Sequence, residues 1–168
     1  MGSDVVLFFP GSTFIGSIGN MYPPLSLLPI ANVLREEGYD AEIIDTRLED
    51  YRKAKLDDAL YVGISSITGR QIRQGLEISR WVGERYPDLS IVWGGIHPTL
   101  LPEQTIENEN VDMVVRGEGE RTCLELAQAL EEEKGLEEIK GLTYKEGRKI
   151  KSNPGRPFLD LDTETSDI

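Results

Sequence analysis

Short apolar, β-branched runs alternate along the chain with longer stretches in which apolar residues recur every three or four positions. That is the pattern of strands alternating with helices in a parallel sheet. Five runs read as strands, at 5–9, 41–45, 61–67, 90–93 and 112–116. Each is apolar on both faces, so these strands belong inside a sheet covered by helices on either side. The intervening helices have readable ends. Pro23 and Pro24 precede a stripe of Leu25, Leu28, Ala31 and Leu34, and Gly38 then ends the helix before the second strand. Ile72, Leu76, Ser79 and Val82 form one helix face that stops at Pro87. Thr122 and Glu125 have capping-box spacing ahead of a stripe of Cys123, Leu126, Ala127 and Leu130. Between Thr46 and Leu60 a thin stripe of Leu48, Tyr51, Leu56 and Ala59 predicts a weak helix, and a short one starts near Pro102.

After Gly141 the pattern changes to two short strands around a Glu146-Gly147 turn, a β-hairpin. The expected fold is therefore α/β: a doubly wound, five-stranded parallel sheet of order 2-1-3-4-5, Rossmann-like or flavodoxin-like, with a C-terminal β-hairpin. Residues 1–140 make the domain and 141–153 the hairpin. Residues 154–168, with two prolines and four acidic side chains, read as a linker toward a further domain.

In such a sheet, ligands bind at the carboxyl ends of the strands. Four segments lie there. The first, from Pro10 to Pro24, is longer than most strand-to-helix loops and contains Gly11, Ser12 and Thr13. Its Gly11 and Gly16 have phosphate-loop spacing, but Ser17 stands where that motif needs its lysine. The second and third are Ser65-Ser66-Ile67 and Gly94-Gly95, small residues on adjacent central strands that would open a slot between sheet and helices. The fourth, Gly117-Glu118-Gly119-Glu120, imitates half of a dinucleotide fingerprint, yet Thr122 replaces the third glycine. Two carboxylates at a helix N-terminus also oppose a pyrophosphate, while favouring the helix dipole themselves. His97, at a helix start, suits a capping or hydrogen-bonding role, and no partner nearby in sequence makes it a metal site. Cys123, on an apolar helix face, reads as a buried thiol rather than a nucleophile.

Composition narrows the classes further. The chain has 168 residues, 18 Lys+Arg against 30 Asp+Glu and a formal net charge of −12, a balance that repels nucleic-acid backbones. No apolar run approaches the roughly 18 residues needed to span a bilayer. A single Cys excludes an internal disulfide and an iron–sulfur cluster, and no basic and apolar leader opens the chain; both point to a reducing cytoplasm.

Taken together, several segments resemble the N-terminal cobalamin-binding domain of B12-dependent radical SAM enzymes, the anaerobic magnesium-protoporphyrin monomethyl ester cyclase type among them. They are Pro23-Pro24-Leu25 with the helix ending at Glu37-Gly38-Tyr39; Val62 to Ile67; Trp93-Gly94-Gly95-Ile96-His97-Pro98-Thr99; Asp112 to Glu120; and Arg156-Pro157-Phe158 onward. The resemblance implies that Ser65, Ser66 and Ile67 match the Ser-x-Leu element, and Gly94-Gly95 the Gly-Gly element, around the cofactor's nucleotide tail. It also implies that the first loop and the Gly117, Glu118, Gly119 turn face the corrin. The Asp-x-His-x-x-Gly motif that supplies a lower cobalt ligand in mutase and methionine synthase relatives is absent. Base-off binding without histidine, or with a water on that face, is therefore expected, with His97 as a further alternative ligand. The Cys-x-x-x-Cys-x-x-Cys motif is absent too, so the [4Fe–4S] cluster and S-adenosylmethionine are expected only in a further part of the parent enzyme, along with its radical SAM barrel. This chain alone would then carry cobalamin for methylation or oxidative cyclisation of a small molecule. A flavodoxin-like FMN carrier is the competing reading, motivated by Ser12, Thr13, Ser17 and Asn20. A receiver domain of the same topology would need an Asp after strand three and a Lys after strand five, where Ser65-Ser66 and Arg116 stand.

Overall fold

A computed structural model describes residues 2–11 and 23–157. Its central feature is one sheet in the order β2-β1-β3-β4-β5-β6-β7. Strands β1 (Val5–Phe9), β2 (Ala41–Asp45), β3 (Tyr61–Ser65), β4 (Ser90–Gly94) and β5 (Met113–Val115) run parallel, in the expected order 2-1-3-4-5. The hairpin of β6 (Leu142–Glu146) and β7 (Lys149–Ser152) continues the same sheet antiparallel to β5, with Met113 opposite Tyr144.

Alternation along the strands sorts the core into two layers. Leu7, Tyr61, Val92 and Val115 face α1 (Leu28–Glu36) and α5 (Glu120–Glu131). Phe8, Ile64, Trp93 and Val114 face α2 (Arg70–Arg85), together with Tyr51 and Leu56. Helix α1 ends at Gly38, whose φ of +95° lets the Gly38 and Tyr39 amides donate to the carbonyls of Arg35 and Leu34, a Schellman arrangement. Helix α2 lies so close to the sheet that a Cβ on Gly75 would stand 2.8 Å from the Trp93 ring. The Trp93 indole N–H donates to Ser79 Oγ at 2.9 Å, which satisfies the one polar atom of that buried ring.

Three local expectations are corrected. The weak helix between Thr46 and Leu60 is a single 3-10 turn, Tyr51–Lys53, started by Asp50, whose carboxylate accepts from the Arg52 amide. Two anchors, Tyr51 and Leu56, cover that part of the sheet without a helix. The capping box at Thr122 does not form. Helix α5 starts two residues earlier, and the Thr122 hydroxyl instead donates to the Lys140 carbonyl at 3.0 Å, which ties α5 to the segment before β6. Strand β3 ends at Ser65, so Ser66 and Ile67 belong to the following turn. Short helices α3 (Ile96–Leu100) and α4 (Pro102–Ile106) follow β4. No described helix is long and apolar enough to cross a membrane.

Candidate functional site

At the carboxyl ends of β3, β4 and β5, beneath α1 and α5, the sheet recedes and leaves a cavity of about 170 Å³. Its walls are mostly apolar: Leu7, Leu27, Ile30, Val92 and Val115. Its floor exists because small residues lie where the strands approach it. Gly63 has no side chain because Leu7 of the neighbouring strand lies over it; a Cβ there would meet Leu7 Cδ2 at 2.6 Å. Ser65 contributes one hydroxyl, which pairs with the Ser26 hydroxyl at 3.1 Å.

The two glycines after β4 serve different ends. A Cβ on Gly94 would find its nearest neighbours, in Val115, at 3.9 Å, so a side chain there is tolerated by the protein and would enter the cavity. Gly95 has a φ of +98°, and a Cβ would lie 2.7 Å from the Ser66 carbonyl oxygen. That contact follows from the backbone pairing of Ser66 with both sides of the glycine pair: its amide donates to Gly94 O at 2.9 Å and its carbonyl accepts from the His97 amide at 3.1 Å. Gly95 is thus required by chain path, whereas Gly94 leaves cavity space open that the protein itself does not fill.

The rim comes from the turn into α5. Gly117 takes a φ of +76°, and its amide donates to Thr99 Oγ1 at 3.0 Å. Gly119 brings α5 against α1, its absent Cβ being 3.1 Å from Ile30 Cδ1. Glu118 and Glu120 both reach the cavity. Cys123 lines it from the first turns of α5, with burial pushing its thiol up to about 12, and the Tyr61 hydroxyl donates to its carbonyl at 3.1 Å. Such a thiol is inert at neutral pH.

Of the residues singled out in the sequence, Ser65, Gly94, Gly95, Gly117, Glu118 and Gly119 meet around this cavity. Ser12 and Thr13 lie outside the described residues, as do Ser17 and Asn20. Gly11 packs instead beneath Arg47, its amide donating to Thr46 Oγ1 at 2.8 Å. Ser66 is fully buried behind the floor, while Ile67 is half exposed on the turn after β3. His97 is buried 3.4 Å from Thr68 Oγ1 through its Nδ1, and does not line the cavity. Sequence reasoning missed Gly63, Ser26 and Ile30, which become neighbours only through strand register and the docking of α1. Among the described residues no group of three or more His, Cys, Asp and Glu side chains is placed to hold a metal ion.

The sequence profile of the B12 binding domain matches residues 11–127, more than two thirds of the chain and every cavity-lining segment after β1. The chain belongs to the B12-binding domain family. Cobalamin is accordingly the cofactor of this domain, as the motif resemblance implied, and the FMN reading gains no support. The B12-binding domain is 36% identical over 149 residues to an uncharacterized methyltransferase of Pyrococcus horikoshii, covering 84% of this chain and 32% of that protein. It is 29% identical to the anaerobic magnesium-protoporphyrin IX monomethyl ester cyclase of a Synechocystis strain, covering 83% of this chain and 30% of that enzyme. Among solved structures it resembles OxsB, a cobalamin-dependent S-adenosylmethionine radical enzyme determined with aqua-cobalamin and S-adenosylmethionine. There the TM-score is 0.74 at 25% identity, over 94% of this chain and 23% of that one. The chain spans about a third of the length of the curated relatives it matches.

The cavity suits a part of cobalamin rather than the whole. Drug-sized ligands need clefts of about 300–1,000 Å³, whereas a cavity of about 150 Å³ holds a benzene-sized ring. The lining of this ring-sized space includes Gly94 and Val115 from the sheet and Leu27 and Ile30 from the α1 side.

Proposed function

We propose that this domain carries cobalamin base-off, with the nucleotide tail inserted in the cavity and the corrin lying across the carboxyl edge of the sheet, for a radical SAM enzyme that methylates or oxidatively cyclises a small molecule. The observation that carries this reading is the ring-sized apolar cavity walled by Gly63, Ser65 and Gly94 at the strand ends, within the segment that matches the B12 family. Gly95, Gly117, Glu118 and Gly119 would frame its mouth, and Gly11, Ser12 and Thr13 would meet the corrin from the first loop. Ile67, Ile96 and Leu100, all at least half exposed on segments leaving β3 and β4, supply an apolar rim for the corrin or the radical SAM barrel.

The domain's own residues bind, orient and exclude water; the cobalt supplies the methyl-transfer or redox chemistry when bound. On this reading His97 is not a cobalt ligand; its burial and its Nδ1 contact with Thr68 Oγ1 at 3.4 Å support a packing and hydrogen-bonding role. The kinship with a methyltransferase, a cyclase and a radical enzyme supports a radical SAM parent, and the lone buried thiol fits a reducing cytoplasm.

The test is to mix the chain with hydroxocobalamin, remove free cofactor by gel filtration and record the absorption spectrum, with FMN in parallel. Retained cobalamin with a base-off spectrum that His97→Ala leaves unchanged is expected. Retention of FMN instead, or a histidine-ligated spectrum lost in His97→Ala, would overturn the assignment.

A further inference from the structure

Glu120 opens α5 and lines the cavity, yet its Oε2 is shielded from solvent and has no hydrogen-bond partner among the described residues. Native proteins seldom leave a buried acceptor without a donor, and the exceptions ask for a reason. The neighbouring cations do not provide one. Arg121 Nε pairs with Glu125 Oε1 at 3.2 Å, and Arg156 Nη2 with Glu125 Oε2 at 2.5 Å. The Ser26 and Ser65 hydroxyls on the floor are engaged with each other. Among the described residues, one oxygen at a mostly apolar cavity is therefore left without a donor.

We infer that Glu120 is a specificity-determining residue that accepts a hydrogen bond from a hydroxyl of the ribose in the cobalamin tail. This rests on the cobalamin reading above and adds to it a residue and a chemical contact. The cavity asks for an occupant with two properties: a flat apolar ring for the walls, and a neutral O–H donor within reach of the mouth. A benzimidazole ribonucleotide has both. Its phosphodiester has no donor, and Glu118 and Glu120 already occupy the positive end of the α5 dipole where an anion would otherwise settle. The same two carboxylates therefore keep the phosphate away from that helix end and turn the ribose edge toward it. The preference also explains why the turn carries glutamates where dinucleotide and FMN sites present bare amides to phosphate.

The experiment compares affinities for cobalamin and for cobinamide, which lacks the whole nucleotide tail, in the wild-type chain, Glu120→Leu and Glu120→Gln. Thermal unfolding of each protein without ligand runs alongside. Glu120→Leu should weaken cobalamin about 10-fold to 100-fold, the range for losing a hydrogen bond to a charged group. Cobinamide binding and the unfolding midpoint should move little, and Glu120→Gln, which keeps an acceptor carbonyl, should fall between. Equal losses for cobalamin and cobinamide would overturn the contact with the tail, as would unchanged cobalamin affinity in Glu120→Leu. A wild-type chain that selects neither ligand would bring down the cobalamin reading itself, and this contact with it.

Discussion

Gly94→Val separates space needed by a ligand from space needed by the fold. Gly94 ends β4 in extended backbone, outside the left-handed region, and a Cβ built on it has no neighbour nearer than 3.9 Å. The valine Cβ therefore meets no protein atom closely, and its two methyl groups are expected to extend into the cavity of about 170 Å³. Burying these three carbons contributes roughly 0.8 kcal/mol per carbon, and replacing glycine in a strand adds up to about 1 kcal/mol. About 0.5–1 kcal/mol of this is offset by lost rotamer freedom, so the unliganded domain should gain up to about 2–3 kcal/mol. Binding should move the other way. A ring that must share the cavity with an isopropyl group loses its place, and affinity for cobalamin should drop at least about 100-fold, or about 2.7 kcal/mol. Urea titration gives the first quantity, as a higher midpoint at constant slope, and equilibrium dialysis the second. A variant that binds as tightly as wild type refutes the slot, and one that unfolds earlier refutes the claim that the protein itself has room there.

Two further outcomes follow from the same geometry. Gly95→Ala should destabilise the chain by about 1–3 kcal/mol in the same titration, because its φ of +98° and the 2.7 Å approach to Ser66 O both oppose a Cβ. Cys123 should resist a thiol reagent at pH 8 in the native chain and react once unfolded. Since burial raises its native value to about 12, the unfolded chain releases the proton first, so its contribution to stability is intact below about pH 9 and lost as pH rises toward 12. An alkaline unfolding curve flat across that window would contradict the burial.

Much of this architecture is legible in the chain because the relevant signals are local. β1 and β2 coincide with their apolar runs, and β4 and β5 lie within one residue of theirs at either end, since a doubly covered strand needs apolar residues on both faces. The strand order follows from alternation with helices, and Gly94-Gly95 stands out against a core of larger side chains. What stays hidden depends on partners far away in sequence. Gly63 looks like an interruption of β3 until Leu7 is placed over it, and Thr122 looks like a cap until Lys140 arrives beside it. Tyr51 and Leu56 mimic one helix face, but both reach the core from a 3-10 turn and its extended continuation. Glu120 reads as a partner for the helix dipole, which accounts for its charge. Only tertiary structure shows that one oxygen is buried and unmatched.

The most direct measurement of the central claim is a crystal structure of the chain grown with cobalamin. The benzimidazole ring is expected detached from cobalt and lodged in the cavity between Gly94 and Ile30, with a ribose hydroxyl on Glu120. A benzimidazole still bound to cobalt, with the cofactor resting outside the cavity, would contradict it.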